Sequence, residues 1–138
     1  AHPIRIWAGA LGPRMLRLTG EMADGVIVSS TYVPPERLHT IHAGIDEGAE
    51  RAGRTPDAIR RGYNLMGSIN VGQNGADGSE QGVIYGTPQQ WIETLIRYHT
   101  EYRLDTFIFW PVGQAPMEQL HAFVEDIIPA VRAAVSPA

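Results

Sequence analysis

Short apolar runs alternate with stretches of helical period along this chain, and that alternation restricts the fold more than any other feature. Ile4-Arg5-Ile6-Trp7-Ala8, Val26-Ile27-Val28-Ser29-Ser30, Tyr63 to Val71 and Asp105-Thr106-Phe107-Ile108-Phe109-Trp110 read as strands. Helical segments follow them from Pro13, over 34–52, from Thr87 to Arg103 and from Pro116. Strand-helix repeated four times implies parallel strands joined by right-handed crossovers. Four such units make half of a (β/α)8 TIM barrel, a fold of about 250 residues, and the chain has 138. Half a barrel leaves two strand edges and part of an apolar interior facing water. The expected fold is therefore α/β, one half-barrel domain over 1–138, completed by an N-terminal half or by a second copy. A small open α/β sheet is the alternative.

Local signals mark the helix ends. Gly12-Pro13 starts the first helix, because proline at the first helical position lacks only an N–H that has no intrahelical partner. Leu38, Ile41, Ile45, Ala49 and Ala52 recur at three or four residues and define one buried face, which Gly53 terminates. Thr55-Pro56-Asp57 opens a short turn with Thr55 as its cap. Thr87-Pro88-Gln89-Gln90 combines a capping box with a first-turn proline, and Trp91, Leu95, Tyr98 and Tyr102 follow along one face. The run 105–110 lacks alternation and predicts burial on both faces. The last helix is predicted to bury Met117, Leu120, Val124, Ile127 and Val131, and Pro129 to kink or split it. Gly72, Gly75, Gly78, Gly82 and Gly86 punctuate a stretch with no period before Val83-Ile84-Tyr85, read as a flexible, functional loop over 72–86.

Composition removes several classes of function. A net charge of -4 with no basic run argues against a nucleic-acid partner. No apolar stretch approaches the roughly 20 residues of a membrane span, and no signal-peptide pattern opens the chain, so a cytoplasmic location is expected. The absence of Cys excludes disulfides and thiolate chemistry. All 11 basic residues are Arg, which removes Schiff-base and P-loop lysine chemistry. The chain opens on Ala1 rather than Met and reads as a processed or excised piece.

The first crossover carries the clearest candidate site. Free N–H groups at the start of a helix, together with its dipole, receive anions, so a phosphate fits the turn Gly9-Ala10-Leu11-Gly12. The plainer reading is that Gly9 and Gly12 serve only the tight turn. Arg14, in the first helical turn, is placed to pair with a phosphate or to sit solvated near Glu21 and Glu36. Ser29 ends its strand with a hydroxyl. Trp110 stands at a strand carboxy end, where barrel active sites lie, and is read either as stacking on a cofactor or substrate or as core. Asp105 begins the same strand at the opposite mouth and reads as stability. His39, His42 and Asp46 share a helix but lie one step off its apolar stripe, flanking the buried face without forming a metal site. His99 and His121 read as structural. No nucleophile-base pair or carboxylate dyad is visible, consistent with chemistry performed by a cofactor.

The segment Ile6 to Leu18, closed by Ala23-Asp24-Gly25, resembles the bacterial-luciferase-like superfamily of flavin- or deazaflavin-dependent oxidoreductases. Gly86-Thr87-Pro88-Gln89-Gln90-Trp91, the Asp105-Thr106-Phe107-Ile108 strand and Phe123 to Arg132 resemble that family's last unit. The resemblance implies the carboxy-terminal half of a (β/α)8 oxidoreductase or monooxygenase, with cofactor bound at the strand carboxy ends and a small organic substrate. It implies Gly9, Ala10, Leu11 and Gly12 as backbone ligands of the cofactor phosphate, with Ile27 and Ser29 beside the phosphate and ribityl chain. Leu11 stands where relatives often carry a second Gly. The cofactor implied is the deazaflavin coenzyme F420 or FMN, with an Arg-only, Ala-rich composition leaning toward the deazaflavin. The catalytic acid or base would belong to the other half, which would leave this chain catalytically silent alone. A non-catalytic half-barrel homodimer binding phosphorylated ligands or a protein partner is the rival, and a phosphosugar-handling barrel a second.

Overall fold

A computed structural model describes residues 2–70 and 81–137, and the element order is that of successive crossovers. Strand β1 (Trp7–Ala8) leads to helix α1 (Pro13–Met22), β2 (Gly25–Ser29) to α2 (Leu38–Arg51), and β3 (Arg60–Ile69) to β4 (Val83–Gly86) and α3 (Pro88–Tyr102). Strand β5 (Thr106–Pro111) is followed by α4 (Pro116–Ala122), a π-helical segment Phe123–Ile127 and α5 (Ile128–Val135). Every strand pair is parallel, and β3 is central, with β2 on one edge and β5 on the other. Strand β4 pairs Met66–Ile69 on the edge used by β2, because Asn64 and Asn70 bond to that side while Arg61 and Gly67 bond toward β5. It therefore continues the sheet just beyond the carboxy end of β2. This is the half-barrel expected from the alternation.

One face of the sheet is covered by helices. Val26, Val28, Tyr63, Leu65 and Ile69 point into a core closed by Leu38, Ile41, Ile45, Trp91, Leu95 and Ile127. Helices α1 and α2 cross so closely that a Cβ at Gly20 would fall on the Ile45 carbonyl and one at Gly48 on the Arg17 carbonyl, so only glycine fits. The capping box of α3 is formed, with the Gln90 amide donating to Thr87 Oγ1 at 3.2 Å and the Thr87 amide to Gln90 Oε1 at 2.9 Å. Thr55 precedes the 3-10 turn Pro56–Ala58, but its side chain makes no capping bond.

Several expectations are corrected. The strand read over residues 4–8 shrinks to Trp7–Ala8, with Ile4 and Ile6 exposed. The loop read over 72–86 ends earlier, since Val83–Gly86 is a strand; its glycine-rich part and Val71 lie outside the described residues. Strand β5 is half-buried on its helix face only, and Ile108 and Trp110 are 45% and 56% exposed, because nothing among the described residues covers the inner face. The last helix is neither split nor ended at Pro129: it runs on through a π turn over Phe123–Ile127, just before the proline, which accommodates its ring. The extra residue in that turn rotates the buried face, so Gln119, Ala122, Phe123, Ile127 and Val131 point inward while Met117 and Val124 are exposed.

Candidate functional site

The inner face of the sheet is built in layers that follow from the register. Trp7 lies at the base over Gly25 and Gly62, where added Cβ atoms would come within 2.7 Å and 2.8 Å of its ring. Above it, Ile27 and Gly62 lie level with Thr106; above these, Ser29, Asn64 and Ile108; above these, Val83, Met66 and Trp110. The upper layers are at the strand carboxy ends, the end at which barrel active sites form.

The β1–α1 turn meets this face at Ile27, whose carbonyl lies 3.9 Å from the position of a Cβ on Gly9. Ala10 is buried and anchors the turn, whereas Leu11, Gly12 and Arg14 are exposed. Gly12 is the helix N-cap, with φ -78° and ψ 148°, no side-chain capping bond, and Pro13 next. Leu16 donates to the Gly12 carbonyl at 2.9 Å, and the amides of Arg14 and Met15 have no acceptor among the described residues. Thus Gly9, Ala10, Leu11, Gly12 and Arg14 follow one another through the β1–α1 turn into the first turn of α1, with Ile27 and Ser29 on the adjoining strand. Trp110 lies two strands away at the same mouth, exposed rather than in the core.

Asn64 was missed by sequence reading. Its Nδ2 donates to Ser29 Oγ at 3.3 Å, while its Oδ1 is shut off from solvent and has no partner among the described residues. Nothing in an Asn within a strand announces this; only the register beside Ser29 does. The Ser30 hydroxyl meanwhile donates to the Gly82 carbonyl at 2.6 Å, tying the start of β4 to the end of β2.

The opposite, amino-terminal mouth carries a charge cluster that belongs to stability. Arg61 is buried, and its Nη2 donates to Asp46 Oδ1 at 2.6 Å; Arg103 Nη1 reaches Asp46 Oδ2 at 2.8 Å. Burial raises the Asp46 pKa, but the Arg103 hydrogen bond and the charges of Arg61 and Arg103 outweigh it and hold the carboxyl below its usual value. His42, expected to flank the core, is only 3% exposed. Loss of hydration, and secondarily the Arg61 charge, push its pKa down to about 4. Its Nε2 donates to the Tyr102 carbonyl at 2.8 Å and its Nδ1 faces Arg61 at 3.4 Å. Asp105 accepts from the Arg61 amide at 3.1 Å, as a stabilising role requires. His99 is structural too, bonded through Nδ1 to the Leu104 carbonyl at 2.7 Å. Among the described residues no group of three or more potential ligands is placed to hold a metal, and no helix is long and apolar enough to cross a membrane.

These features define a parallel α/β half-barrel with an open turn and an uncharged face at the mouth. The chain belongs to the luciferase-like monooxygenase family, whose pattern it matches over residues 1–77. It is similar to an F420-dependent glucose-6-phosphate dehydrogenase of Nakamurella multipartita, 39% identical over 59 residues, or 43% of this chain and 17% of that protein. It is also similar to a 5,10-methylenetetrahydromethanopterin reductase of Methanopyrus kandleri, 43% identical over 56 residues, covering 41% and 16%. Two solved structures share the fold. The coenzyme F420-dependent tetrahydromethanopterin reductase from Methanopyrus kandleri aligns with TM-score 0.75 at 19% identity, over 91% of this chain and 50% of that one. An F420-dependent secondary alcohol dehydrogenase in complex with an F420-acetone adduct aligns with TM-score 0.78 at 16% identity, over 95% and 50%. The chain thus spans about half of these structures, and its matches to the curated relatives cover less than a fifth of their length.

Proposed function

We propose that this chain is the cofactor-holding half-barrel of a luciferase-like oxidoreductase that uses the deazaflavin F420, with FMN as the second candidate. The reading rests above all on the turn 9–12: free amides at the start of α1, beside Ile27 and Ser29, suit a phosphate. The F420 dependence of the named relatives favours the deazaflavin. When bound, the carrier supplies the hydride chemistry. Gly9, Ala10, Leu11 and Gly12 hold its phosphate through backbone N–H groups, Arg14 adds a cation, and Ile27 and Ser29 flank the chain that leads to the ring. Leu11 projects outward, 49% exposed, where it limits how the phosphate approaches.

A second half-barrel completes the enzyme, in the same polypeptide or as another copy. Met15, Leu18 and Met22 form an exposed apolar stripe on α1, and Ile6 is exposed beside the sheet; apolar patches of this kind seek a partner. Fluorescence titration with F420 and with FMN, alongside the mass in solution, tests the reading. Saturable F420 binding that is weakened by inorganic phosphate is expected. A monomer that binds neither cofactor would overturn it.

A further inference from the structure

We propose, resting on the reading that the strand carboxy ends form the reaction mouth, that this half-barrel receives a neutral, largely apolar substrate against Trp110 and Met66, not an anionic one such as a sugar phosphate. Trp110 and Met66 are register partners on adjacent inward positions of β5 and β3, and Val83 lies on the other side of Met66. Tyr85, beside Ser68, forms the rim. Trp110 is 56% exposed although it sits on a sheet whose other face is a closed core. An indole offers 150–250 Å² of burial, on the order of the face of a small cyclic molecule.

Charge decides the chemical class. From Ile27 and Gly62 upward, every inward position of β2, β3, β4 and β5 is uncharged, and the chain contains no Lys. Arg61, the buried cation of the sheet, points to the helix layer at the far mouth and is bound to Asp46. A phosphate dianion against this wall would lose hydration without the charge-assisted donors that offset such a loss. An alcohol or ketone on a compact hydrocarbon frame loses little hydration there and gains contact with the indole.

Ligand-observed NMR titrations of the protein, without cofactor and then loaded with F420, use cyclohexanol and benzyl alcohol as neutral probes and glucose 6-phosphate as the anionic one. The neutral probes are expected to bind about tenfold more tightly than the sugar phosphate, and Trp110→Ala to weaken them about tenfold without moving the F420 dissociation constant or the Tm. Equal or tighter glucose 6-phosphate binding would overturn the proposal, as would neutral-probe binding that ignores Trp110→Ala. Acrylamide quenching compared between the protein and its Trp110→Phe variant checks access: an indole that stays shielded without any probe is covered by protein, which also overturns it. Should F420 fail to bind, the cofactor reading falls, while the probe comparison on the cofactor-free protein still decides this one.

Discussion

Asn64 and Ser29 are joined across the β2–β3 ladder by a 3.3 Å bond from Nδ2 to Oγ, and the second polar atom of that carboxamide, Oδ1, is buried without a partner among the described residues. An unsatisfied buried acceptor costs about 1–3 kcal/mol. Asn64→Leu, which keeps the volume and removes the orphan, is therefore expected to leave the cofactor-free protein as stable as before or more so. Urea unfolding measures this, and a loss of more than about 1 kcal/mol would show that Oδ1 is bonded in solution.

Gly12 separates the two uses of the first turn. Its φ is negative and nothing lies within 4 Å of an added Cβ, so Gly12→Asp fits. Asp at an N-cap bonds the free helix amides and stabilises by a few tenths of a kcal/mol relative to Gly. The same carboxylate would occupy the position proposed for the cofactor phosphate and repel it. A small rise in Tm together with loss of F420 binding is expected; F420 binding that survives places the phosphate elsewhere.

Acid should act first through His42. Its folded pKa of about 4 lies below the ordinary 6.5, so between these values the unfolded chain binds the extra proton. Stability is fully present above pH 6.5 and falls as pH drops toward 4, by about 3 kcal/mol in all. Asp46, with its lowered pKa, adds a further loss only below the usual carboxylate range. Thermal melts from pH 7 to 4 should show this slope, and His42→Gln should flatten it.

Removing Asp46 leaves the buried Arg61 guanidinium without its carboxylate. Breaking a buried pair from one side costs about 3 kcal/mol or more, so Asp46→Ala is expected to be destabilised by that order in chemical denaturation. Arg17 with Glu47, an exposed pair at 3.9 Å, serves as the control, and Glu47→Ala should change stability by less than about 1 kcal/mol.

Strands β2, β3 and β5, the crossovers and the turn at 9–12 were legible because each rests on neighbours in sequence: a period, a proline at the first helical position, a capping box. Local signals pointed to the helix start after Gly12, whereas Ile27, Ser29 and the cofactor itself came only from the family resemblance. The π turn was not legible, since Pro129 announces a break but not the inserted residue that turns Met117 and Val124 outward. Strand β4 was hidden because four residues after a glycine-rich stretch gain strand character only by pairing with Met66–Ile69.

By itself the sequence determined that this chain alternates strand and helix, and where α1, α3 and α4 begin. Tertiary structure decided which groups meet. His42 and Asp46 on α2 meet Arg61 of β3 and Arg103 at the end of α3, and Asn64 finds Ser29 only through the β2–β3 register. Periodicity is a property of adjacent residues, whereas burial, charge pairing and an orphaned polar atom are set by groups that only the folded chain brings within reach.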